Sequence, residues 1–123
     1  MRHEVTESDT AVELGSGDVP VLATPRLIAW LEAATLRRAA PYTDAGQTTV
    51  GTAVRVEHRQ PTPVGDSVDI VAEAPDDISG RRLTFTVRAT DASGKIVATG
   101  EIDRALVQRD RFLAALTRTS NDD

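Results

Sequence analysis

The chain of 123 residues contains no cysteine. Disulfides, thiolate zinc sites and a cysteine nucleophile are thereby excluded, and the composition suits a reducing compartment. Aromatic residues are scarce as well: two Phe, one Trp and one Tyr make up 3% of the chain. The core must therefore be built from Val, Leu, Ile and Ala, and little is left to stack on nucleic-acid bases. Only two histidines occur, His3 and His58, and no acid or histidine pair shows ligand spacing, so neither a metal nor a cofactor is expected. No run approaches the ~20 apolar residues needed to span a bilayer, and residues 1–4 lack the apolar follow-on of a signal peptide. A cytoplasmic location is the expectation. The net charge is −5 and the basic residues are scattered, which argues against nucleic acid or an anionic membrane as partner. The adjacent pairs Arg37, Arg38 and Arg81, Arg82 read first as solvated surface and second as phosphate contacts.

What is present begins with length. A chain of this size forms one domain, here residues 1–123, with room for fraying at 1–10 and 118–123, and buries roughly two-thirds of its unfolded surface. Its first clear element is a helix over 25–40. Thr24 reads as its N-cap, Pro25 suits the first turn, where its missing N–H has no partner to lose, and Pro41 closes it. Apolar residues occupy nearly every side from Leu27 to Ala34, which predicts a helix wrapped by other structure. Glu32 is the one acid in that run. A buried, unpaired carboxylate costs several kcal/mol, so the fold must supply a partner or the carboxylate must do chemistry. Thr24 in the same helix and His58 downstream are the candidate partners.

Beyond Pro41 the period changes to two. Thr48, Val50, Thr52, Val54, Val56 and His58 alternate onto one face of a half-buried strand, which points His58 inward. Pro61 to Asp66 carries strong turn chemistry. A second strand turns Val68, Ile70, Ala72 and Ala74 inward, a turn follows at 76–80, and a third strand turns in Leu83, Phe85, Val87 and Ala89. Asp91 to Lys95 turns again, and a fourth strand runs over 96–107. Residues 5–14 read as an additional strand, and helical spacing resumes from Asp110. One apolar helix followed by four antiparallel strands is an α+β plan in which the sheet curls around the helix. Such a sheet has two open edges, so a homodimer, or a tetramer built from it, is expected.

Several segments in order resemble a known family. Residues 21–32 (Val-Leu-Ala-Thr-Pro-Arg-Leu-Ile-Ala-Trp-Leu-Glu), 49–52 (Thr-Val-Gly-Thr), 58–65 (His-Arg-Gln-Pro-Thr-Pro-Val-Gly), 80–85, Asp91, and Arg111 with Phe112 are similar to the hotdog-fold acyl-CoA thioesterases of the fluoroacetyl-CoA thioesterase-like group. The resemblance implies a long central helix wrapped by a curved antiparallel sheet, dimeric, with clefts for the acyl-pantetheine arm at the subunit interface. It places the family's catalytic positions on Thr24, Glu32 and His58, its acyl-thioester glycine on Gly51, and a substrate-binding arginine on Arg104. Coenzyme A then enters only as part of the substrate. One departure stands out. The family's fluoroacetyl-specific enzymes carry phenylalanines in a lid upstream of the Ala-Thr-Pro turn, whereas residues 14–20 here contain no aromatic, which points to another acyl group.

Thioester hydrolysis needs a nucleophile, an acceptor for its proton and donors for the developing oxyanion. His58 suits the base, since its ordinary pKa lies near working pH. Thr24 suits either the attacking hydroxyl or a residue that positions water, and Glu32 an orienting carboxylate. Competing readings keep the same fold: a non-catalytic module that binds acyl-CoA or a partner protein, and an enoyl-CoA hydratase. Without the resemblance, Thr24 reads as a helix cap, His58 as a core histidine and Gly51 as a strand bulge.

Overall fold

The computed structural model describes residues 1–76 and 80–121, with side chains to Thr117. Most of the turn expected at 76–80 and the last residues of the tail lie outside the described residues. In chain order the elements are β1 (Arg2–Glu4), a 3-10 turn (Glu7–Asp9), α1 (Ala11–Leu14), α2 (Thr24–Ala39), a second 3-10 turn (Ala40–Tyr42), β2 (Gln47–His58), β3 (Ser67–Glu73), β4 (Arg82–Asp91), β5 (Ile96–Gln108) and α3 (Arg109–Asn121).

Each of the three strands of the meander follows from its alternation. Val68, Ile70 and Ala72 of β3, and Leu83, Phe85, Val87 and Ala89 of β4, are buried as a single face. The β4–β5 turn closes because Asp91 accepts from the backbone N–H groups of Ser93 and Lys95. All pairings are antiparallel, in the order β1-β3-β4-β5-β2, so β2 precedes the meander in sequence but lies at its far edge beside β5. That close approach uses Gly100, opposite Val56, where a Cβ would strike the backbone carbonyl of Arg55. The concave face of the sheet receives α2 through Leu27, Leu31 and Ala34, and the core joins them to Leu22, Val68, Ile70, Val97 and Ile102.

Three expectations need correction. Residues 5–14 are not a strand: the strand pairing to β3 is Arg2–Glu4, and Val5 then enters the core before the short 3-10 turn and α1. The polar residues between them bond locally instead, Thr6 to Asp9 and Thr10 to Glu13. Second, the N-cap of α2 is Ala23 and not Thr24. Third, β2 does not keep one phase. A bulge at Thr52 leaves that residue unpaired between Gly51, opposite Arg104, and Ala53, opposite Asp103. One extra residue exchanges the faces of everything before it. Thr49 and Gly51, rather than Thr48, Val50 and Thr52, therefore share the helix side with Val54, Val56 and His58.

Candidate active site

Thr24 begins α2, but it is the first helical residue and not its cap: Ala23 holds the N-cap position, and no side chain caps the helix there. Its hydroxyl is consequently free for another partner, and it finds His58, with 2.8 Å between Thr24 Oγ1 and His58 Nδ1. When the imidazole proton sits on Nε2, Nδ1 accepts from the hydroxyl. His58 reaches this point because it is the last residue of β2, on the helix-facing side after the bulge. Burial pushes its pKa below the ordinary histidine value, with the backbone of Gln60 opposing. Its Nε2 is buried and has no hydrogen-bond partner among the described residues. A cavity of about 320 Å³ opens on this pair; Ser16, Arg59, Gln60 and Pro61 line one part of it, and Ala11, Gly17, Val19, Val21 and Leu22 the other. The latter are small aliphatic groups, contributed by α1 and the loop that follows it. The bridge of Thr10 to Leu22 ties that loop to the start of α2.

Glu32 belongs to a second cluster. Among the described residues no hydrogen bond joins it to Thr24 or His58. It faces Gly51 and Arg104 instead: a Cβ on Gly51 would stand 2.7 Å from Glu32 Oε2 and 3.6 Å from Arg104 Nη1. The missing side chain leaves a small gap between a carboxylate and a guanidinium. Arg104 itself is only 6% exposed. Neutral oxygens hold it: Nε donates to Thr49 Oγ1 at 2.8 Å, Nη2 to the Thr49 carbonyl at 2.9 Å, and Nη1 to Thr35 Oγ1 at 3.4 Å. Burial lowers its pKa and the charge of Glu32 opposes that shift. Thr35 also donates to the Glu32 carbonyl one turn back, at 2.7 Å, so one hydroxyl links the helix that carries Glu32 to the buried cation.

The five residues singled out in the sequence thus fall into two groups, Thr24 with His58 and Glu32 with Gly51 and Arg104. Eight residues of helix, or about 12 Å, separate Thr24 from Glu32 along α2. Thr35 and Thr49, which hold Arg104, were not legible as site residues. Thr35 looks like one more residue of a helix interior, and the phase of Thr49 is correct only once the bulge is allowed for.

A single antiparallel sheet curled against one long helix defines a hotdog protein. A Thermus thermophilus protein of the thioesterase superfamily superimposes with a TM-score of 0.88 at 23% identity, covering 99% of this chain and 89% of that one. A variant of the fluoroacetyl-CoA-specific thioesterase, solved with fluoroacetate and CoA, superimposes with a TM-score of 0.86 at 30% identity, covering 97% and 96% of the two chains. The fluoroacetyl-CoA thioesterase of Streptantibioticus cattleyicolor is 34% identical over 114 residues, 93% of this chain and 78% of that protein. The family described as fluoroacetyl-CoA-specific thioesterase matches residues 5–110, and the chain belongs to it.

Proposed function

We propose that this protein hydrolyses an acyl-CoA thioester to a free acid and CoA, with Thr24, His58 and Glu32 as its catalytic set. The observation that carries the reading is the 2.8 Å hydrogen bond between Thr24 and His58 in a cavity with one aliphatic wall. A helix cap would aim the hydroxyl at the backbone, whereas here it is aimed at a general base. The Thr24 oxygen bonds to the thioester carbon as His58 takes its proton. The tetrahedral intermediate then collapses, the C–S bond breaks, and the proton passes from His58 to the CoA sulfur. Water, activated by the same imidazole, cleaves the acyl-threonine and restores the hydroxyl.

The two clusters are too far apart in one chain to act on one carbonyl. A homodimer resolves this. The edge strand β2 is twelve residues long and leaves Val54 40% exposed at its middle. Edges of this length are covered or paired. Antiparallel pairing of two β2 strands, centred on Arg55 with the bulged Thr52 of each strand left out of the register, sets Gly51 against the partner subunit's His58. Each site then combines Thr24 and His58 of one subunit with the partner's Glu32, Gly51 and Arg104. In that arrangement the charge of Arg104 favours the developing oxyanion, and Glu32 orients the attacking or hydrolytic group.

The acyl group differs from fluoroacetyl. The wall of the cavity carries Ala11, Gly17 and Val19 where an aromatic lid would stand, and Val12, Leu14 and Val19 are exposed. An acyl-CoA panel with thiol detection tests the proposal. Thiol release from at least one aliphatic acyl-CoA, lost by at least about a hundredfold in both His58→Ala and Glu32→Gln, is the expected result. Full turnover in both variants would remove the site assignment, and saturable binding without thiol release would make the protein a binding module.

A further inference from the structure

At the opposite end of β2 from His58 lies a groove of about 260 Å³ between the sheet and α3. Its floor is Gln47, Leu106 and Gln108, and its rim is Arg81, Arg111 and Phe112. The two arginines line it from different parts of the chain, one from the residue just before β4 and one from the first turn of α3. Neither has a carboxylate partner among the described residues. Elsewhere Arg55 pairs with Asp103 and Glu101, Arg59 with Glu57, and Arg26 of α2 with Asp9, so their charges are already engaged.

From this we infer that the groove binds the phosphorylated adenosine of coenzyme A, with Arg81 and Arg111 on phosphate groups and Phe112 against the base. The inference rests on the hydrolytic reading above for the identity of the ligand. Three features support it. Unpaired guanidiniums form the strongest phosphate contacts available to a protein, and an exposed aromatic beside them supplies a stacking surface for the adenine. The reach is right: Gln47 lies four residues from Gly51 along β2, about 13 Å. The pantetheine arm runs about twelve bonds from its phosphate oxygen to sulfur, as many as about four residues of extended chain. The path is also on one side of the sheet. Gln47, Thr49 and Gly51 alternate onto the same face, and their partners Gln108, Leu106 and Arg104 face with them. In the proposed dimer the partner's β2 ends opposite Gly51, so the strand edge from Val50 back to Gln47 stays open for the arm.

The test compares one acyl group carried on CoA and on pantetheine, which lacks every phosphate of the nucleotide. Wild-type protein is expected to favour the CoA ester in kcat/KM by about tenfold to a hundredfold, the effect of two charge-assisted contacts. In Arg81→Glu/Arg111→Glu that preference falls towards one, while Arg88→Glu, on the convex face of β4, keeps it. Adenosine 3′,5′-bisphosphate, titrated by calorimetry, binds wild-type protein and Arg88→Glu but not the double variant. An unchanged CoA preference in the double variant, or equal bisphosphate binding by all three proteins, overturns the assignment. If wild-type protein releases thiol from no acyl-CoA, the hydrolytic reading fails by itself, and the bisphosphate titration still decides the groove.

Discussion

Capping and catalysis compete for the hydroxyl of Thr24, and the geometry separates them by one residue of helix register. With Ala23 as the N-cap and Thr24 inside the first turn, no helix N–H depends on that side chain. Thr24→Ala is therefore expected to change the urea unfolding free energy by less than about 0.5 kcal/mol, where loss of a true cap costs about 1 kcal/mol. In the same protein kcat should fall by about a hundredfold or more, with Thr24→Ser retaining much of it. A stability loss of full capping size with turnover intact would return Thr24 to a structural role. His58 makes a second prediction at this scale. Burial favours its neutral form, which is the form that accepts the hydroxyl proton, so activity should rise with pH through a midpoint below 6.5 and be level by neutrality. A kcat/KM profile checks this. His3, whose ring stacks on Trp30 at 4.4 Å on the far edge of the sheet, is the control, since His3→Asn should leave the midpoint in place.

At the scale of the element, the strands of the meander were legible because their alternation is unbroken: Leu83, Phe85, Val87 and Ala89 can face only one way. The alternation in β2 misled at its first half. Threonine and valine occupy both faces there, so the pattern through Thr48, Val50 and Thr52 is compatible with either phase, and the bulge that decides between them leaves no hydrophobic mark. His58 was still placed correctly, because it lies beyond the bulge. Thr24 and His58 were both read as partners of Glu32, but Glu32 meets Arg104 instead, because the pairing of β2 with β5 is set by long-range packing that brings Arg104 to Gly51 across 53 residues of sequence. On the opposite face of the same strand pair, Asp103 accepts from Arg55 at 2.9 and 3.0 Å and from Thr84 at 2.8 Å. These bonds hold its pKa at about 2, below the ordinary 3.8. A carboxylate depressed on folding adds stability that is fully present above its unfolded pKa and is lost as pH falls through the folded one. Unfolding measured from pH 5 to pH 2 should thus show a decline that Asp103→Asn flattens; equal slopes in the two proteins would mean that the network adds nothing.

For the whole molecule, everything turns on whether one chain holds a complete site. In the proposed dimer a two-fold axis through the middle of β2 lets each cluster finish the other's site, which the two clusters of one chain, about 12 Å apart along α2, do not do by themselves. The consequence is measurable without a structure of the assembly. His58→Ala and Glu32→Gln homodimers each lack one half of both sites and should be inactive. A dimer containing one chain of each kind has one site in which both halves are intact and one in which both are broken. Mixing the two inactive proteins in equal amounts, and allowing subunits to exchange, should therefore restore about a quarter of wild-type activity, because half the dimers are mixed and each carries one working site of two. If the catalytic set were complete within a single chain, every chain in the mixture would carry a lesion and no activity would return. Restoration should also follow subunit exchange in time, with the first-order rate of dimer dissociation.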